Sequence, residues 1–318
     1  MLSFIDIIFS QKYLELDKLN VNLWKFWKQK TQFMGLLEAI GNLHIINVVL
    51  CALIGVVFTL WFIPRILVVS FKKKLFDFAD ERKVHTGVVP RLGGVAFVPA
   101  ILVSVSLMAG ISSLVLPGDA NVFVVPTLQM AFGLCSLILL YFEGIMDDLV
   151  GLRYRVKFVI QILCALLIVA SGIWLNDFHG LFGLAGLSPW FGVPFSVLLV
   201  VFIINAINLI DGIDGLASGL SIVSAFFFGI MFCYEGYWGF AMLAFSLMGT
   251  LVPFFYYNVF GDAQKRRKIF MGDTGSQCVG LILSVLAIRL SMTLPDEQPK
   301  ISGIIIVAFS MLLVPAFD

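Results

Sequence analysis

Four polar clusters break an otherwise apolar chain, and each is built from residue types that hold cations or phosphates. The first pairs Asp147 with Asp148. Two carboxylates at the carboxy-terminal end of a helix face the negative pole of its dipole and need a cation. Convergence on one Mg²⁺, or division into a metal ligand and a base, would satisfy them. A solvated loop start offset by Arg153 and Arg155 is the plainer alternative. Lys157 and Gln161 follow four residues apart, so they share a helix face and can point back toward the acids.

The second cluster is NAINLIDGIDGLASG, residues 205–219, with Asn205 and Asn208 three apart and then Asp211 and Asp214. Asparagines inside an apolar helix are costly without partners. The two Asp-Gly steps allow a tight break between helices, because glycine tolerates dihedrals other residues avoid. A capped turn with Asp214 at the start of the next helix is the structural alternative, but it leaves Asn205, Asn208 and Asp211 unused.

The third is KRRKIFMGDTGSQCVG, residues 265–280, where four bases precede Phe270 and Asp273. Backbone amides at such a helix start can hold phosphate, and the bases attract anions. The alternative is that Asp273 or Thr274 caps the helix while the bases only set topology. GDTGS is not the GxxxxGK[ST] loop, so a nucleotide hydrolase is not indicated. The fourth, DERKVHTGVVPRLGG at 80–94, offers Arg82, Lys83, His85 and Arg91 as phosphate donors or as ordinary juxtamembrane bases. His85 can titrate; His44 and His179 are expected to be surface or interfacial.

The elements that must position these clusters are membrane helices. With 318 residues, 60% hydrophobic and 13% charged, the chain carries about half the charge of a soluble domain. The expected fold is an all-α polytopic bundle of about nine spans, near 43–70, 94–116, 122–146, 158–176, 190–210, 216–234, 237–260, 276–293 and 301–317. The first lies too far in and is too long for a cleavable signal peptide. Residues 1–42 mix lysines and acids with Phe and Trp and are expected at the membrane surface, ahead of a polytopic domain over 43–318.

Bases collect in short cytoplasmic loops. Placing 71–93 inside puts Lys72, Lys73, Lys74, Arg82, Lys83, Arg91, Arg153, Arg155, Lys157, Lys265, Arg266, Arg267 and Lys268 there, and leaves Lys300 outside. The lysines of 1–42 fall outside on this scheme. Loops 71–93, 147–157, 211–215 and 261–275 then share the cytoplasmic face with every cluster. A net charge of +1 argues against nucleic acid as a partner. The five cysteines form no CxxC pair and are expected to be buried or lipid-facing.

RKVHTGVVPRLGG at 82–94, MDDLVGLRYRVKFVIQ at 146–161, NAINLIDGIDGLASG at 205–219 and FMGDTGS at 270–276 together resemble the polyprenyl-phosphate N-acetylhexosamine-1-phosphate transferases, in matching order. The PRLGG loop is similar to the branch that uses UDP-N-acetylglucosamine. The resemblance implies transfer of a sugar-1-phosphate to undecaprenyl phosphate with release of UMP, at the cytoplasmic side of a bacterial inner membrane.

It further implies Mg²⁺ as cofactor, with Mn²⁺ as an alternative, and a homodimer as one assembly. Asp147 would be the base, Asp148 its neighbour and a metal ligand, and Asp273 the Mg²⁺ ligand. Lys157 would lie near metal and phosphates, and Phe270 would stack on uracil. Asn205, Asn208, Asp211 and Asp214 would line the donor pocket, with Lys83, His85 and Arg91 on its phosphates. The family's pattern continues past the Pro-x-Phe-Asp at 315–318 into a histidine-rich loop, so the chain is expected to be truncated at its carboxy terminus.

Rival readings are a transporter, a CDP-alcohol phosphatidyltransferase and an inactive homologue that binds the lipid carrier. A transporter predicts polar groups at mid-membrane depth. The CDP-alcohol pattern wants an Arg after DGxxA, where this chain has DGLAS at 214–218.

Overall fold

The computed structural model describes residues 44–75, 89–115, 127–181, 186–293, 304–310 and 312. The surface segment expected over 1–42, and Lys83 and His85, lie outside the described residues. Helices make up the regular structure there, and no strand occurs among the described residues. In chain order they are α1 (His44–Lys73), a 3₁₀ turn (Gly93–Ala96), α2 (Phe97–Val115), α3 (Thr127–Val150) and α4 (Tyr154–Ala170). Then come α5 (Pro189–Ile210), α6 (Leu216–Glu235), α7 (Trp238–Val259), α8 (Gly272–Ser291) and α9 (Ile304–Ser310).

Each expected apolar stretch carries one of these helices, but among the described residues seven are long and apolar enough to cross a bilayer. The two that fall short are α4, with 17 residues, and α9, with 7 described. Large apolar side chains such as Val57, Leu198 and Val159 face outward, where only lipid satisfies them. The protein is a multi-pass membrane protein.

The centre of the bundle is α8, packed against α3, α5, α6 and the 3₁₀ turn. Along it only the Asp273 position is not fully enclosed. A helix screened from lipid on every side can carry Ser276, Gln277, Ser284 and Arg289: Asn208 and Gln161 partner Ser276 and Gln277, Ser284 bonds back to the Leu281 carbonyl, and the Arg289 guanidinium lies over the Tyr237 ring.

Glycines permit the close approaches around its start. A Cβ at Gly144 would lie 2.4 Å from the Thr274 Cα, so α3 crosses α8 backbone to backbone. One at Gly94 would lie 2.1 Å from the Gly275 nitrogen. Residues 90–94 pair with 270–271 through Phe270 N–H to Pro90 O, Gly93 N–H to Phe270 O and Gly94 N–H to Met271 O, at 2.9, 2.9 and 2.8 Å.

At the opposite end, 176–179 clamp the end of α8. Asn176 exchanges two hydrogen bonds with the Thr293 backbone, and His179 Nε2 lies 2.8 Å from the Ser291 carbonyl. His179 is thus a tertiary clamp rather than a plain surface residue, and the His44 ring packs 4.7 Å from that of Trp238. All five cysteines are free, with Cys51, Cys164 and Cys278 buried, Cys233 half-buried and Cys135 exposed, as expected of thiols that only pack.

Candidate active site

The carboxy-terminal ends of α3 and α5 and the amino-terminal ends of α4 and α8 meet at one end of the bundle. Lys157, in the first turn of α4, places its Nζ 2.5 Å from Asp147 Oδ2 on α3 and 2.5 Å from Asp273 Oδ2 on α8. Asn208 Nδ2, from the last turn of α5, donates to Asp273 Oδ1 at 2.6 Å and to Ser276 Oγ at 2.8 Å. The Leu152 N–H donates to Asp147 Oδ1 at 2.6 Å. Side-chain exposures of 9% for Asp147, 23% for Lys157 and 27% for Asp273 describe a cleft that shields charge yet opens to a ligand.

Asp148 faces the other way. Its Oδ1 accepts the Asp273 N–H at 2.8 Å, and its Oδ2 accepts the Thr274 N–H at 3.0 Å and the Thr274 hydroxyl at 2.5 Å. It therefore caps α8 from another helix and complements the positive pole of that helix. Neither Asp273 nor Thr274 caps its own helix, as the simpler sequence alternative would have it. Nor are the first amides of α8 open to phosphate: Asp148 takes those of Asp273 and Thr274, and the Gly272 N–H faces Asp211. Burial pushes the Asp211 carboxyl up to about 8, and the charges of Asp273 and Asp148 add to the rise.

The second acidic pair divides. Asp214 does not cap α6, whose N-cap is Gly215 in the left-handed region, φ 76°, with no side-chain cap. The Gly215 N–H instead donates to Asn258 Oδ1 at 2.7 Å, and Asp214 pairs with Lys268 Nζ at 2.5 Å. Of the four bases at 265–268, Lys268 is buried and the other three are exposed. Lys268 Nζ also lies 5.8 Å from the centre of the half-buried Phe270 ring. Arg91 is exposed at the rim, and its charge acts on Asp211.

Beneath the carboxylates lies an amide chain. Asn205 Nδ2 donates to Gln161 Oε1 at 2.7 Å, and Gln161 Nε2 donates to Gln277 Oε1 at 3.0 Å. Asn205 is thus turned away from the cleft that Asn208 enters. Beside this chain is a residue the sequence reading passed over: Glu143, 4% exposed, with neither carboxylate oxygen hydrogen-bonded. Its signal was legible as an acid one helical turn before Asp147 inside an apolar span.

Among the described residues no three acids, histidines or cysteines form a ready-made metal cage. Mg²⁺ does not require one, because it is commonly held by one or two carboxylates together with water and substrate phosphate. Asp147 and Asp273 fit that description: they converge closely enough to share one ammonium ion.

Residues 130–291, which contain every one of these groups except Arg91, match the model of glycosyl transferase family 4. Over 279 residues the chain is 32% identical to a probable undecaprenyl-phosphate N-acetylglucosaminyl 1-phosphate transferase of Bacillus subtilis, covering 86% of this chain and 70% of that protein. The chain belongs to glycosyl transferase family 4.

Other similar proteins within reach include an undecaprenyl-phosphate alpha-N-acetylglucosaminyl 1-phosphate transferase of Salmonella typhi, 29% identical, covering 80% of this chain and 66% of that one. A phospho-N-acetylmuramoyl-pentapeptide-transferase of Listeria monocytogenes is 28% identical, with 71% and 69% covered. The chain spans about two thirds of the length of these family members.

Proposed function

We propose that this chain transfers a sugar-1-phosphate, with N-acetylglucosamine-1-phosphate as the first candidate, from a UDP-sugar to undecaprenyl phosphate, releasing UMP and starting a cell-envelope polysaccharide. The observation that carries the reading is the Lys157 ammonium shared by Asp147 and Asp273 at 2.5 Å each, in a cleft that Asn208 also enters. The activities for which the relatives are named support the same class of reaction. The cleft faces the cytoplasm of a bacterial inner membrane in a bundle of about nine spans, with a homodimer as one assembly open to it.

Two anionic phosphates must approach each other, so the site has to offset their repulsion. An oxygen of the lipid phosphate attacks the donor β-phosphorus. The bond from that phosphorus to the UMP oxygen breaks, and UMP leaves with the electron pair. Asp147 accepts any proton left on the lipid phosphate. Lys157 supplies positive charge to the cleft.

Asp273, with Asp147 beside it, would hold Mg²⁺ or Mn²⁺, which when bound supplies further charge neutralisation, and Asp211 lines the donor pocket next to them. Asp148 acts by fixing the start of α8 under Asp273. Arg91, Asp214 and Phe270 border the nucleotide side of the cleft, and Lys83 and His85 add donors for its phosphates. Asn205 supports the site from below.

The test uses purified protein in detergent with Mg²⁺, undecaprenyl phosphate and radiolabelled UDP-N-acetylglucosamine, following lipid-linked label and UMP together. Equal formation of both, lost with EDTA and in Asp147→Asn, is the expected result. UMP without labelled lipid removes the acceptor assignment. If neither product forms with any UDP-sugar, even in a chain extended at its carboxy terminus, an inactive carrier-binding homologue replaces this reading.

A further inference from the structure

Two features of the cleft ask for more than the proposed chemistry supplies, and they lie next to each other. The Lys157 ammonium sits between Asp147 and Asp273 at 2.5 Å from each, which is the place a divalent cation would take. An ammonium and a metal ion cannot occupy it together, because their repulsion in a partly shielded cleft is large. Lys157 must therefore have somewhere else to go when a cation binds.

Glu143 is the second feature. It lies one turn before Asp147 on α3, a rise of about 6 Å. It is 4% exposed and no donor lies within hydrogen-bond distance of either oxygen, with the Gln277 side-chain amide the neutral group that bears on the carboxylate. Two orphaned acceptors in an enclosed site are costly, and native structures rarely keep them without a use. Around it lie Gln277, Cys164 and Cys278, none of which carries positive charge, while Lys157 is a cation whose charge bears on it. The lysine's four-carbon stem turns about several bonds, so its end can move by one helical turn while its backbone stays in place.

We infer that Glu143 is the second seat of the Lys157 ammonium: as a divalent cation enters between Asp147 and Asp273, the ammonium drops one turn and pairs with Glu143. Glu143 is then a positioning residue that acts through Lys157. It allows the cleft to keep its carboxylates paired when empty and to give them up when loaded. The inference rests on the cation site proposed above.

The test measures Mn²⁺ binding to the full chain in detergent by the electron paramagnetic resonance of free Mn²⁺, without substrates, in wild type, Glu143→Gln, Lys157→Met, the double variant and Asp273→Asn. Wild type should bind Mn²⁺ at a site lost in Asp273→Asn. Glu143→Gln should weaken that binding by about tenfold, the range seen for groups that support a metal from behind its ligands. In the Lys157→Met background the same change should have no effect, since no ammonium remains to be rehoused.

Unaltered affinity in Glu143→Gln overturns the inference while leaving the cation site intact. So does an equal loss in both backgrounds, which would mark Glu143 as structural only. Absence of any Asp273-dependent Mn²⁺ site overturns the cation reading and this inference together.

Discussion

Asp148, at the end of α3, closes the start of α8 through Thr274, whose backbone N–H and hydroxyl both donate to its Oδ2, at 3.0 and 2.5 Å. The bond joins residues 126 positions apart and sets the direction in which Asp273 leaves the helix. Removing the carboxylate in Asp148→Ala strands two enclosed amides, at about 2 kcal/mol by the usual cost of a lost cap and an orphaned donor. The thermal midpoint in detergent should fall, and transferase activity should fall with it because Asp273 loses its alignment. Full stability with activity lost would instead place Asp148 among the reacting groups.

The glycines of PRLGG make a separate prediction. A methyl group at Gly94 would stand 2.1 and 2.2 Å from the Gly275 nitrogen and Cα, where backbone must move to admit it. Gly94→Ala should cost about 3 kcal/mol, the upper range for overpacking. Gly110, in α2, meets nothing within 4 Å, and Gly110→Ala should be neutral or slightly stabilising. Comparing the two thermal midpoints separates close packing from a general need for glycine.

Much of this architecture was legible because a bilayer imposes simple rules. Apolar runs of bilayer length marked the helices, and polar clusters inside so apolar a chain marked the face where chemistry gathers. The partners were not legible. Lys157 shares a face of α4 with Gln161, but that spacing does not reveal Asp273, 116 residues away, as its second partner. Asp148 and Asp147 are neighbours in sequence, yet successive residues on a helix point about 100° apart, so one enters the cleft and the other caps α8. Asn205 and Asn208, three apart, lie on nearly the same face but about 4.5 Å apart along the helix, so one meets Gln161 and the other Asp273. Glu143 escaped notice because a lone acid in an apolar span belongs to no cluster until helix packing encloses it.

That divergence of the asparagines is testable. Asn208 donates to Asp273, whereas Asn205 donates to Gln161 and to the Val201 carbonyl. Asn208→Ala should lower turnover by roughly 10- to 100-fold, the range for groups that orient a ligating carboxylate. Asn205→Ala should lower thermal stability by about 1 kcal/mol, the worth of an ordinary hydrogen bond, and leave turnover within about threefold of wild type. Initial rates and melting curves on both variants decide it. Equal losses of turnover would show that the amide chain and the carboxylate cleft act as one unit.

Asp211 gives a pH dependence whose sign follows from its surroundings. Its carboxyl stands at about 8 in the folded protein, raised first by burial and then by the nearby charges of Asp273 and Asp148. In the unfolded chain it titrates near its ordinary value of about 4. Between these values only the folded protein holds the proton, so unfolding releases it, and stability must fall as pH rises across that window. Asp211→Asn cannot lose a proton and should flatten this part of the curve. Melting curves in EDTA from pH 5 to 8 should therefore converge toward low pH and separate toward high pH, with the variant the more stable. A wild type that gains stability relative to the variant as pH rises would mean that Asp211 is ionised and paired, and would point to Arg91 as the partner that outweighs the surrounding acids.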